Sequence, residues 1–235
     1  MARPGRRPRR RPNLLPASLH PESARGKLPP IEHAIELALE PGNFIEWDEV
    51  SEFTSDLEQV KASIDALVKS GEAARTVELY ELFIAGCFEK ADAVHDECEF
   101  SGFVESLFES WLKAREAAGV TPAETVQAML SWIEKDNYGF CSDLDKKAVA
   151  CFSRTGLAVY EMVIRGHFEV ERTNAQKVLA EGKGADRISY KLRNYAEVLK
   201  TIALRRGSIK DYLKIAEETG INPTDCVEIA EVFHR

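Results

Sequence analysis

No run of apolar residues in this chain approaches the roughly 18 that a membrane-spanning helix needs, so no stretch reads as a membrane segment. The apolar patch behind the N-terminal arginines, Leu14-Leu15-Pro16-Ala17-Ser18-Leu19, is short and broken by proline, and export by a cleaved signal is not expected. Cysteine is sparse: Cys87, Cys98, Cys141, Cys151 and Cys226 form an odd, scattered set without the close pairs of a disulfide framework or zinc knuckle. The expectation is a reducing, cytoplasmic compartment. Sustained two-residue alternation is missing as well, which argues against a sheet. A glycine-rich phosphate loop is also lacking. Gly182-Lys183-Gly184 is too short and has no strand-to-helix context, so it reads as a bend.

Charge is unevenly distributed. The 235 residues carry a formal net charge of −8, yet residues 1–30 hold eight Lys or Arg against one acid. The remainder therefore carries about −15. Seven of the ten prolines lie in the same leader, which has too few apolar residues to offset the entropy of ordering and is expected to be disordered. Arg6, Arg7, Arg9, Arg10 and Arg11 could touch nucleic acid or an acidic partner; a solvated tail or a misplaced start codon is the plainer reading. An acidic body disfavours broad contact with phosphates, which leaves nucleic-acid binding to the leader or a local patch.

What the chain does have is helix punctuation. In Gly119-Val120-Thr121-Pro122-Ala123-Glu124, Gly119 suits a left-handed helix end and Pro122 the first position of the next helix. Thr121 is the cap, and Glu124 stands where its carboxylate can reach back to the capping amide. Gly220-Ile221-Asn222-Pro223-Thr224-Asp225 repeats the order, and Ser208 with Asp211 has the same spacing. Between such joints the apolar residues recur at three and four. Val50, Phe53, Leu57, Val60, Ile64, Leu67 and Val68 predict a long helix over 48–70, closed by Gly71. A second, over 72–94, makes with it an antiparallel hairpin. Further helices are predicted over 31–40, from near 103 to 119, and over 122–135, 144–152, 156–171, 190–206, 209–219 and 224–234. The period weakens across 172–187, where a bend is expected.

The fold class is therefore all-α. Residues 31–235 read as one helical repeat domain of stacked antiparallel hairpins, a tetratricopeptide-like α-solenoid, with a compact multi-helix bundle as the alternative.

Chemistry-bearing residues are few. His95-Asp96-Glu97-Cys98 offers metal-ligand atoms on one helical turn, but no second pair stands nearby, and a polar interhelical loop is the preferred reading. Cys141 or Cys151 could serve as a nucleophile only with a histidine such as His167 brought close; a small buried hydrophobe is the commoner fate of such a cysteine. Trp132, Tyr138 and Phe140 flank the turn Asp136-Asn137-Tyr138-Gly139 and form the best candidate for a protein-binding surface, against the reading that they lock one hairpin onto the next. No catalytic residue, cofactor or metal ligand is assigned.

The stretches Ile64-Asp65-Ala66-Leu67-Val68-Lys69-Ser70-Gly71, Met129-Leu130-Ser131-Trp132-Ile133-Glu134-Lys135-Asp136-Asn137-Tyr138-Gly139-Phe140 and Thr155-Gly156-Leu157-Ala158-Val159-Tyr160 resemble the helical region found beside SWIM-type zinc fingers in bacterial proteins. Arg206-Gly207-Ser208-Ile209-Lys210-Asp211-Tyr212 resembles its next unit, and the likeness spans roughly residues 44–235. It implies a helical-repeat scaffold without catalytic residues. The Cys-x-Cys and Cys-x-His pairs of the finger are missing here, so zinc is not carried over. The functional expectation is a non-catalytic scaffold that binds a protein or peptide; nucleic-acid association through the basic arm is the alternative.

Overall fold

The computed structural model describes residues 30–40, 42–95, 98–180 and 189–233. The predicted leader arginines and the Gly182-Lys183-Gly184 bend lie outside them. Ten α-helices account for most of the described residues: α1 (Ile31–Leu39), α2 (Val50–Lys69), α3 (Ala73–Lys90), α4 (Glu99–Ala117), α5 (Pro122–Lys135), α6 (Leu144–Cys151), α7 (Arg154–Ala180), α8 (Tyr190–Arg205), α9 (Ile209–Thr219) and α10 (Pro223–Phe233). A single 3-10 turn, Ala91–Ala93, follows α3. No strand is present among the described residues, although Ile45 and Val94 form one isolated parallel bridge.

Local chemistry sets the helix ends. At Gly119, whose φ is +70°, the amides of Gly119 and Val120 donate to the carbonyls of Glu116 and Arg115 (3.0 Å each), a paired closure that satisfies the last carbonyls of α4. The chain then enters α5 through the predicted box: the Glu124 amide donates to Thr121 Oγ1 (3.3 Å) and the Thr121 amide to Glu124 Oε2 (3.1 Å). The box at α10 is equally complete, with Asn222 N to Asp225 Oδ2 at 2.8 Å and Asp225 N to Asn222 Oδ1 at 3.0 Å.

The third expected box does not form. The Ser208 amide donates to the Ala203 carbonyl (2.9 Å) in the closure that ends α8, so it is not free to reach Asp211. The Ser208 hydroxyl instead donates to Asp211 Oδ2 at 2.6 Å. A second difference is the length of α7, which continues to Ala180 rather than ending near 171. Its last third is largely exposed and so lacks an apolar stripe, while Ala, Gln, Lys and Leu there are good helix formers.

The chain divides into two compact units, residues up to Leu107 and residues from Phe108 onward. In the first, α1 packs on both α2 and α3. Leu39 fits over Gly86, where an added Cβ would stand 2.4 Å from Leu39 Cδ1, so a larger residue there would displace the end of the Leu39 side chain. Phe100 and Phe103 at the start of α4 meet Phe53 (5.8 Å between ring centroids) and Phe83 (5.5 Å).

In the second unit α5 packs on α7, α8 on α6 and α7, and α9 on α8. Trp111 is fully buried, edge-on to Phe108, and Arg115 lies over its ring while donating Nε–H to Thr125 Oγ1 (3.1 Å).

In each unit a tyrosine hydroxyl clasps a carboxylate fifteen residues earlier, on the preceding helix. Tyr80 of α3 donates to Asp65 of α2, and Tyr160 of α7 donates to Asp145 of α6. Both rings are fully buried. The recurrence extends beyond the pair: Asp65, Tyr80-Glu81, Ile84, Gly86 and Phe88-Glu89 reappear eighty residues further on as Asp145, Tyr160-Glu161, Ile164, Gly166 and Phe168-Glu169.

Candidate functional site

The connection from α5 to α6 carries two of the three aromatics singled out above, and one side chain fixes its path. Asp136 Oδ1 accepts the amides of Tyr138 and Gly139 (3.0 Å each), and Oδ2 accepts that of Cys141 (2.7 Å). Gly139 takes φ +85° to close the turn. Three backbone bonds to one carboxylate leave the loop little freedom.

On this frame the predicted residues separate. Phe140 is buried (3% exposed), Tyr138 is 43% exposed, and Trp132 is half-buried. The Tyr138 ring stacks on Phe140, with centroids 5.6 Å apart and planes 26° from parallel. Trp132, near the end of α5, stands edge-on to Phe108 (5.9 Å), and the Lys135 ammonium lies 5.8 Å from its centroid. The sequence groups the three as one surface. The folded chain makes Phe140 the buried support, Tyr138 the exposed plate, and Trp132 a ring anchored along one edge.

The other candidates resolve differently. Burial pushes the Cys141 thiol well above its ordinary range, and the Asp136 and Asp145 carboxylates reinforce this. Such a thiol is not a thiolate at neutral pH. Cys151 is raised for the same reason, with Lys113 opposing and Glu109 reinforcing. His167 lies ring on ring with Tyr195 at 5.4 Å. Of the His95 to Cys98 quartet, Asp96 and Glu97 fall outside the described residues. Among those described, no group of three His, Cys, Asp or Glu is arranged to hold a metal ion. No helix of the described residues is long and apolar enough to cross a membrane.

Sequence reasoning missed a second polar centre. Lys200 of α8 and Asp225 of α10 are both buried, their Nζ and Oδ1 atoms 2.6 Å apart. Tyr212 of α9 donates to the same Asp225 oxygen (2.6 Å) and is also within 2.7 Å of Glu228 Oε2. Glu197 completes the neutralisation of Lys200 at 2.7 Å. Burial acts to lower the Lys200 ammonium's pKa, but the Asp225 and Glu197 carboxylates together outweigh it and hold the group charged. Three helices are tied through one carboxylate.

Comparison of the chain with protein-family models, with curated proteins and with solved structures finds no match.

Proposed function

We propose that this chain is a non-catalytic, tetratricopeptide-like helical-repeat scaffold, acting in the cytoplasm, that binds another protein or a peptide. The observation that supports it most directly is the aromatic turn after α5. Tyr138 presents an exposed ring that is already held in place, by Phe140 beneath it and by three backbone bonds to Asp136 around it. An anchor ordered before contact loses little conformational entropy on binding, and Tyr and Trp are the side chains in which interface energy concentrates. Lys135 beside Trp132 adds a positive edge suited to an acidic neighbour of the docked residue. The resemblance to the helical region beside SWIM-type fingers points the same way.

Affinity capture from native lysate tests the proposal, using the full chain, a version beginning at Ile31 and the Tyr138→Ala variant, each with and without nuclease treatment. One protein recovered by the first two and lost from the third supports it. Recovery that needs residues 1–30 and intact nucleic acid replaces it with the arm-based alternative through Arg6, Arg7, Arg9, Arg10 and Arg11.

A further inference from the structure

In the second unit a cleft of about 670 Å³ is lined by Arg154 and by Leu157 and Ala158 of the first turns of α7, with Arg205 and Arg206 from the end of α8. Three guanidiniums around one opening are unusual in a chain whose net charge is −8. Their engagements differ. Arg205 donates one N–H to the Phe152 carbonyl (2.7 Å), which fixes the side chain and leaves its remaining donors available. Arg206 pairs with Glu161, and that same carboxylate also accepts from Arg165 at 2.8 Å, so one acid serves two guanidiniums. The Arg154 side chain makes no hydrogen bond or ion pair among the described residues. Part of this charge has an ordinary role, since cations at the end of α8 complement its dipole. That role does not account for Arg154, which stands at the start of α7, where the helix dipole itself is positive and a cation is disfavoured.

We propose that this cleft is an oxyanion site for a phosphate-type dianion. Arginine presents paired N–H donors matched to two oxygens of a phosphate, and the excess of guanidiniums over Glu161 matches a ligand of charge near −2. The start of α7 adds partial positive charge from the same side. Leu157 and Ala158 supply the apolar part of the lining. The dianion can belong to a free phosphorylated small molecule or to a phosphorylated side chain. The site is separate from the aromatic turn and does not depend on the scaffold reading.

Titration of the full chain with inorganic phosphate, followed by calorimetry or amide shifts, tests this. Saturable binding is expected, weakened by roughly tenfold or more in Arg154→Gln and in Arg206→Gln, the scale of losing a charge-assisted hydrogen bond. Arg154→Lys, which retains the charge but not the fork, falls between, and Tyr138→Ala leaves binding unchanged. Helical circular dichroism of each variant confirms that the fold persists. A phosphoserine peptide that binds more tightly than phosphate at the same arginines identifies a modified side chain as the source; a phosphopeptide no better than phosphate identifies a small molecule. Absence of saturable binding overturns the assignment. So does binding indifferent to both Gln substitutions, which would place the anion outside this cleft.

Discussion

Lys200 and Asp225, 25 residues apart, meet through Nζ and Oδ1 at 2.6 Å with side chains only 3% and 1% exposed. Such a pair need not be more stabilising than well-packed hydrophobic residues, but breaking it strands a buried charge. Asp225→Ala removes at once the partner of Lys200, an acceptor of Tyr212 and half of the capping box of α10. A loss of roughly 3–5 kcal/mol is expected in urea denaturation. Protection of α10 amides against hydrogen exchange should fall first, because α10 is held to α8 and α9 through this carboxylate. Replacing Lys200 by Met in the same chain should recover part of the loss, since no ammonium is then left unpaired.

Two carboxylates carry opposite pH signatures. Burial alone would raise the Asp225 carboxyl, but the bonds from Lys200, Tyr212 and the Asn222 amide outweigh it and hold it below the ordinary range. Its contribution is therefore present above the unfolded value near 3.9 and lost as pH falls through the lower folded value. Asp145 runs the other way. Burial raises it, and the Tyr160 hydroxyl offsets this only in part. The folded state then holds its proton more tightly than the unfolded chain, so stability from this site declines as pH rises above about 4. Stability curves of the native chain and of Asp145→Asn should converge below that pH and separate above it, with the Asn variant the more stable at pH 7. An unchanged difference across the range would show that Asp145 does not titrate as described.

The joints of this fold were legible because their chemistry is local. Thr121 with Glu124, and Asn222 with Asp225, are bonded to each other's amides within four residues, and sequence order is enough to pair them. The failure at Ser208 has the same locality seen from the other side, since the preceding helix end had already engaged the amide that the box requires. Spacing alone does not reveal which of two motifs claims a shared donor. The clasps were not legible. Asp65 and Asp145 give no local sign of a partner, and each becomes structural only when a tyrosine fifteen residues away is folded against it; Asp225 is legible as a cap, but its bond to Tyr212 is not. One signal for two of them was present, the recurrence of Asp, Tyr-Glu, Ile, Gly and Phe-Glu at an interval of eighty residues. Which of the three aromatics packs and which stays exposed was not legible, because it depends on Asp136 folding the turn back on itself, which composition does not specify.

Thr121→Ala isolates the value of a cap. It removes the acceptor for the Glu124 amide and the hydroxyl that donates to Glu124 Oε2 at 2.7 Å. The bonds that the Thr121 hydroxyl and the Thr121 amide donate to the Glu124 carboxyl hold it below its ordinary range. A cost of about 1 kcal/mol is expected in thermal or urea unfolding. Thr121→Ser should keep most of the stability. Glu124 should also titrate nearer to an ordinary carboxyl in the Ala variant, a change that carbon-detected NMR reads directly.

Trp132 and Tyr138 separate packing from recognition because their surroundings differ. Trp132 is edge-on to the fully buried Phe108, so Trp132→Ala should open space beside α4 and cost roughly 2–4 kcal/mol. Tyr138 rests on Phe140 with much of its ring in solvent, and Tyr138→Ala should cost no more than about 1 kcal/mol. The order reverses for a partner seated on the turn: the exposed ring dominates affinity, and its removal should weaken binding by at least roughly tenfold while the melting temperature barely moves. Phe140→Leu supplies the connecting measurement. It preserves an apolar support but removes the stacked plane, so Tyr138 remains and loses its fixed orientation. Binding intermediate between the native chain and Tyr138→Ala would show that affinity depends on holding the ring as well as on having it. Equal binding by the native and Phe140→Leu chains would assign Phe140 to packing alone.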